Sequence, residues 1–145
     1  TDSVISDIAF CKGTVRTFDT KLQSHVQHKM DKLLQGLALA NDITYDMEYI
    51  RGYLPVHNHE AAYETVKQAA NELHLRFNKS ELMMIGEDFS HYLKVRPGAF
   101  FLTGCGNADK GITAPHHNPH FDIDEAAFKY AASEFLKILE LESVF

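Results

Sequence analysis

The chain carries only two cysteines, Cys11 and Cys105, in 145 residues. Two thiols build no disulfide framework and stand at no zinc-knuckle spacing, so the expected compartment is a reducing cytoplasm. Long apolar runs are missing as well. The longest stretches, such as Ala99 to Leu102, fall far short of the roughly 20 residues that a bilayer-spanning helix needs, and nothing reads as a signal peptide, so no membrane partner is expected. Positive charge is in deficit, with 14 Lys and Arg against 20 Asp and Glu and a formal charge of -6. Nucleic acids and anionic membranes require a positive field to displace counterions, which argues against both and favours a small-molecule or peptide partner. Internal repeats, low-complexity tracts and coiled-coil heptads are absent too. What remains is ordinary globular composition, 45% hydrophobic and 23% charged. A domain of this length buries about 70% of its unfolded surface when its layers are complete.

The apolar pattern alternates between strand and helix periods. Ile8 to Phe18 is rich in β-branched and aromatic residues and predicts a strand, after which Asp19 and Thr20 offer a helix N-cap. Leu22, Val26, Met30, Leu33, Leu34 and Leu37 then recur at helical spacing, predicting an amphipathic helix with one buried stripe that ends at Asn41 and Asp42. Ile43, Tyr45, Met47 and Tyr49 alternate with Thr44, Asp46 and Glu48, the period of a strand with one wet face. The pattern breaks at Gly52 to Asn58, where a domain crossing is placed. Asn58 reads as the cap of a helix from His59 to Leu73 with Ala62, Val66, Ala69, Ala70 and Leu73 on its apolar side. Leu82 to Ile85 precedes Gly86 and a short helix, Glu87 to Leu93, closed by Pro97 and Gly98. Ala99 to Thr103 reads as a buried strand. A last helix opens at Asp122 or Asp124 with the stripe Phe128, Ala131, Ala132, Phe135, Ile138 and Leu139. The fold class is α/β, a mixed sheet with helices packed on it.

Between the last strand and the last helix lies Ala114 Pro115 His116 His117 Asn118 Pro119 His120 Phe121 Asp122 Ile123 Asp124 Glu125. Prolines bracket a turn that presents imidazoles, the commonest metal ligands at physiological pH, without using helix or strand hydrogen bonds. Solvated loop histidines are the plain alternative, and His116 and His120 fit it.

Four blocks carry a resemblance: Gly13 to Asp19; Gly52 Tyr53 Leu54 Pro55 with Val56 to Asn58; Gly86 Glu87 Asp88 Phe89 Ser90 followed by Pro97 to Phe101; and His117 Asn118 Pro119 His120 Phe121 Asp122 Ile123 Asp124 Glu125. Each is weak alone; in series, over about Ala9 to Leu141, they resemble the C-terminal part of the aminoacylase and carboxypeptidase family of dinuclear metallo-hydrolases, in its branch cleaving N-acyl amino acids. The resemblance implies residues 1–53 as the second half of an α+β lid and dimerisation domain, and 54–145 as the C-terminal segment of an α/β catalytic domain. It implies a complete enzyme with two divalent metal ions, zinc or manganese, a small-molecule substrate (an N-acyl amino acid or dipeptide), and a homodimer made by the lid, while the chain alone, with sheet edges and helix faces left without cover, is expected to self-associate as a strand-exchanged oligomer. It also implies that most ligands and the general base lie in an N-terminal portion without counterpart here, so no catalytic residue is expected on this chain. The chain alone is expected to be inactive and to hold metal weakly or not at all.

The spacing histidine, one residue, proline makes His117 the matching metal ligand, with Asp122 as candidate partner for its other ring nitrogen. Arg16 matches a lid arginine that anchors the substrate carboxylate, a task suited to a bidentate guanidinium; an exposed strand arginine is the alternative. Gly86 and Glu87 match a substrate-lining loop, although acidic residues at a helix start are favoured by the helix dipole anyway. Two other classes compete: a complete small α+β protein-interaction module using Tyr45, Tyr49 and Tyr53, and an enzyme whose metal is wrapped by His116, His117 and His120.

Overall fold

The computed structural model describes residues 3–143, which form two compact units. The first runs to Pro55 and includes Met83–Glu87; the second holds Val56–Leu82 and the chain from Asp88 onward.

In the first unit Asp19 caps helix α1 (Thr20–Asn41), its carboxylate accepting from the Lys21 and Leu22 N–H groups. The capping oxygen satisfies donors that the first turn leaves without partners. Asp42 ends α1 in the left-handed conformation, its N–H returning to Ala38 O, a usual C-terminal closure. The segment after α1 lies along it through polar contacts: Tyr45 Oη donates to Asp31 Oδ1 at 2.8 Å, and Arg51 Nη2 reaches Ser24 Oγ and Gln27 Oε1 at 3.1 Å. The expected buried stripe is a correction, because no residue of α1 is buried. Leu22, Leu33 and Leu37 are 50%, 68% and 57% exposed. The periodicity specifies the helix and its apolar side, but that side is covered only in part: Val26 and Leu34 are half-buried and the other four stripe residues lie open.

The second unit is built on α2 (Glu60–Glu72) and α4 (Ala126–Leu141), which pack together. Buried apolar side chains among the described residues are Val66, Ala69, Ala70, Leu93 and Ala127, all in this unit. Small alanines on α2 permit close helix approach. Surface pairs such as Lys137 with Glu72 at 3.6 Å and Glu140 at 2.7 Å add little to that packing. On α4 the buried row is Ala127 and Glu134, with Ala131 and Ile138 half-buried, while Phe128 and Phe135 are exposed. The stripe is thus offset by about one residue from the expected one, and a carboxyl occupies it. Burial pushes the Glu134 pKa up, since desolvation disfavours the charged form.

The short helix is α3 (Phe89–Val95), starting two residues later than expected. Asn58 does not cap α2, whose N-cap position is His59 without a side-chain bond. Instead Asn58 clasps the 98–100 backbone: its Nδ2 donates to Phe100 O and its Oδ1 accepts from Phe100 N–H, each at 2.8 Å. His59 extends the clasp, its N–H donating to Gly98 O at 3.0 Å and its Nδ1 accepting from Gly98 N–H at 3.2 Å. A Cβ at Gly98 would stand 3.2 Å from Leu93 Cδ2, which explains a residue without one. Ring contacts then join Phe100 of this segment to Phe89 of α3 and the adjacent Phe101 to Phe135 of α4, with centroids 5.7 and 5.2 Å apart.

The mixed sheet is also corrected. Among the described residues there is no strand, and a single isolated antiparallel bridge joins Asn107 and Ile112. Ile8–Phe18, Ile43–Tyr49, Leu82–Ile85 and Ala99–Thr103 carry strand-like composition, yet a strand exists only through ladder bonds to a neighbour. Asn58 supplies such bonds to one residue, from a side chain. No helix among the described residues is long and apolar enough to cross a membrane.

Candidate functional site

Two successive turns shape the histidine loop. Asn118 N–H donates to Pro115 O at 3.1 Å, so His116 and His117 form the first corner. His117 has φ of 69°, the positive value that the third position of a type II turn requires and that glycine or asparagine normally supplies. In the second turn Phe121 N–H donates to Asn118 O at 2.9 Å, with Pro119 at the second position and Asn118 Oδ1 accepting from His120 N–H at 2.9 Å. Asparagine followed by proline is well suited to that turn. The other non-glycine residues with positive φ, Asp42, His74 and Ser143, stand at or just beyond helix C-termini, where the conformation is usual. His117 has no such setting. Left-handed backbone at a non-glycine residue costs about 1–3 kcal/mol and concentrates at functional positions.

The imidazoles of His116 and His117 lie 4.2 Å apart between centroids, and His116 meets the Phe121 ring edge-on at 5.3 Å. His116, His117 and His120 are all exposed. Asp122, the expected orienting partner of His117, instead accepts the N–H of its neighbour Ile123 at 2.8 Å. Adjacency in sequence therefore does not translate into the expected ring contact.

The stem of the loop is tied by Asp124. Its N–H donates to Cys105 O at 2.8 Å. One carboxylate oxygen accepts from Asn107 Nδ2 at 2.6 Å; the other takes Lys110 Nζ at 2.8 Å and Ala126 N–H at 3.2 Å. Lys110, then Asn107 and the Ala126 N–H, hold the carboxyl down at about 2, because each stabilises the ionised form. Asn107 in turn caps a 3-10 turn, Ala108–Lys110, accepting from Asp109 N–H.

Gly86 and Glu87 lie in the first unit, where a Cβ at Gly86 would stand 3.4 Å from Tyr53 Cδ2. Gly86 is exposed and Glu87 half-buried. Arg16, also exposed and in that unit, donates from Nη1 to Thr14 Oγ1 at 2.9 Å. That bond occupies one of five guanidinium donors.

The donor set limits what this chain does with a metal. Among the described residues no group of three or more His, Cys, Asp or Glu side chains is placed to hold an ion. The exposed imidazole of His117 fits a divalent ion as one ligand among several, and these residues do not supply the rest.

The description of peptidase family M20/M25/M40 matches residues 4–141, nearly the whole chain. The chain belongs to this family. N-acetyl-L-cysteine deacetylase of Bacillus subtilis is 33% identical over 135 residues, covering 92% of this chain and 31% of the relative. N-acetyldiaminopimelate deacetylase of Streptococcus sanguinis is 31% identical over 144 residues, covering 97% of this chain and 36% of the relative. A solved structure described as "a putative aminohydrolase" of methicillin-resistant Staphylococcus aureus superposes with a TM-score of 0.64 at 27% identity, over 84% of this chain and 31% of that one. This M20 chain therefore spans about a third of the length of the curated relatives it matches. The resemblance read from its four sequence blocks is to this same family of hydrolases, and membership in it weighs against an unrelated interaction module.

Sequence reasoning missed the Asn58 clasp and the parts that Asn107 and Lys110 play in the stem. Asp124 was visible as a helix-entry residue. Its partners stand 14 and 17 positions upstream and carry no local signal.

Proposed function

We propose that this chain forms the part of an M20 amidohydrolase that closes the active site, the complete enzyme hydrolysing the amide bond of N-acyl amino acids or small peptides. The observation that carries the reading is His117: a histidine held exposed in a left-handed turn position where glycine would be less strained. Names of the M20 relatives support the substrate class, two of them being deacetylases of N-acetyl amino acids. Residues 1–53 would be lid and 54–145 catalytic segment.

His117 would serve as one ligand to a pair of divalent ions, zinc or manganese. When bound, such ions lower the pKa of a water and polarise the scissile carbonyl. The chain's own contribution is positional. The two turns hold the imidazole outward, leaving a ring nitrogen lone pair for the ion. Arg16 would bind the substrate carboxylate through the guanidinium donors that Thr14 leaves open, and Gly86 with Glu87 would line the pocket. The partly uncovered apolar side of α1 is available for pairing lids in a homodimer, and the two free cysteines accord with a reducing cytoplasm.

The test is an amide-hydrolysis panel on the complete enzyme, comparing N-acetyl amino acids and dipeptides after chelation and metal replacement. Release of acetate or amino acid, restored by zinc or manganese, is expected. Arg16→Ala should raise KM for substrates with a free carboxylate at least tenfold and leave carboxamide analogues unaffected. No hydrolysis of any member under any metal would overturn the reading.

A further inference from the structure

The His117 loop is held chiefly by its ends. Residues 115–122 are exposed, and the hydrogen bonds within them are those of the two turns. A loop with so little lateral packing takes its direction from its stem, and local opening is easiest where buried contacts are few. That stem converges on one residue. Asp124 joins Cys105 through its N–H, and joins Asn107, Lys110 and the first turn of α4 through its two oxygens.

We propose that Asp124 is a positioning residue for His117, locking the 105–110 segment to the start of α4 and thereby fixing where the exposed imidazole points. Three donors on two carboxylate oxygens, one of them cationic, make a stronger tie than neutral hydrogen bonds would. An apolar residue at 124 would keep the backbone bond to Cys105 and lose the other three. The functional meaning of the inference rests on reading His117 as a metal ligand, but the loop geometry can be tested without that reading.

Backbone ¹⁵N relaxation on this chain provides the test. In the wild type the amides of 113–121 should show order parameters near the rigid value of about 0.85, and in Asp124→Ala they should drop below about 0.6 while mid-helix amides of α2 and α4 hold. Asp124→Asn, which keeps an acceptor for Ala126 N–H but loses the ion pair with Lys110, should fall between. Unchanged order at 113–121 in Asp124→Ala, or an equal loss throughout the unit, would overturn the proposal. If Asp124→Ala does not fold, Lys110→Met and Asn107→Ala remove one tie each, and loops as ordered as wild type in both would be equally fatal. Zinc calorimetry on the complete enzyme separates the two claims. Asp124→Ala should weaken uptake at one site at least tenfold. A His117→Ala enzyme that binds zinc like wild type would defeat the ligand reading and leave the relaxation result to decide the stem.

Discussion

The two units start from the same ingredients, an amphipathic helix and apolar segments of strand-like composition, and end differently. In the second unit α2 buries Val66, Ala69 and Ala70, and Ala69 is 0% exposed; in the first, α1 is nine residues longer and buries nothing. Helix α1 therefore rests on its cap, its internal hydrogen bonds and the polar contacts from Tyr45 and Arg51, whereas α2 rests on α4. Periodicity decides which face of a helix is apolar, and only a partner decides whether that face leaves water. Most helical stability in proteins comes from such packing rather than from propensity.

The largest expected effect separates the units directly. Ala69→Leu forces extra methylenes into the α2–α4 contact and should cost about 1–3 kcal/mol. Leu33→Ala on exposed α1 should stay within about 0.5 kcal/mol. Urea unfolding followed by circular dichroism measures both, and equal losses would break the comparison. Next comes the clasp. Asn58→Ala leaves the Phe100 N–H and carbonyl without partners and should cost about 1–3 kcal/mol, since unsatisfied groups carry their desolvation penalty. Asp19→Ala, removing the α1 cap, should cost about 1 kcal/mol.

Smaller effects appear in pH profiles and run in opposite directions. Glu134 has a raised pKa from burial, so its stabilising share is complete below the ordinary carboxylate value and is lost as pH rises through the raised one. Glu134→Gln should accordingly gain stability over wild type at neutral pH and lose that advantage in acid. Asp124 is depressed from 3.8 to about 2, so its share is present above 3.8 and lost as pH falls toward 2. Amide shifts of the loop stem in the folded protein should titrate with a midpoint near the folded value of about 2 in the wild type and stay flat in Asp124→Asn.

The helices were legible because caps and 3.6-residue periodicity are local; Asp19 and the α1 stripe are examples. Strands were not, because a ladder depends on a neighbour at long sequence separation, and Ile43 to Tyr49 alternates without one among the described residues. Asn58 shows a subtler failure. A cap residue directly before a helix is a sound local reading, yet the same amide matches a peptide edge equally well, and the 98–100 backbone claimed it. At the candidate site the order of histidine, one residue and proline marked His117. Its left-handed backbone and the Asp124 stem were invisible in the sequence, the first because histidine does not advertise positive φ as glycine does.

The central claim is that position 117 accepts backbone strain to present an imidazole to a metal. It is tested most directly by His117→Gly in the complete enzyme, measuring thermal stability, bound metal and amide hydrolysis on the same preparation. Glycine is at ease with positive φ, so the account predicts a melting temperature equal to or above wild type, loss of one of two bound ions, and at least a hundredfold drop in hydrolysis. A variant that keeps its metal and its hydrolysis would contradict the account.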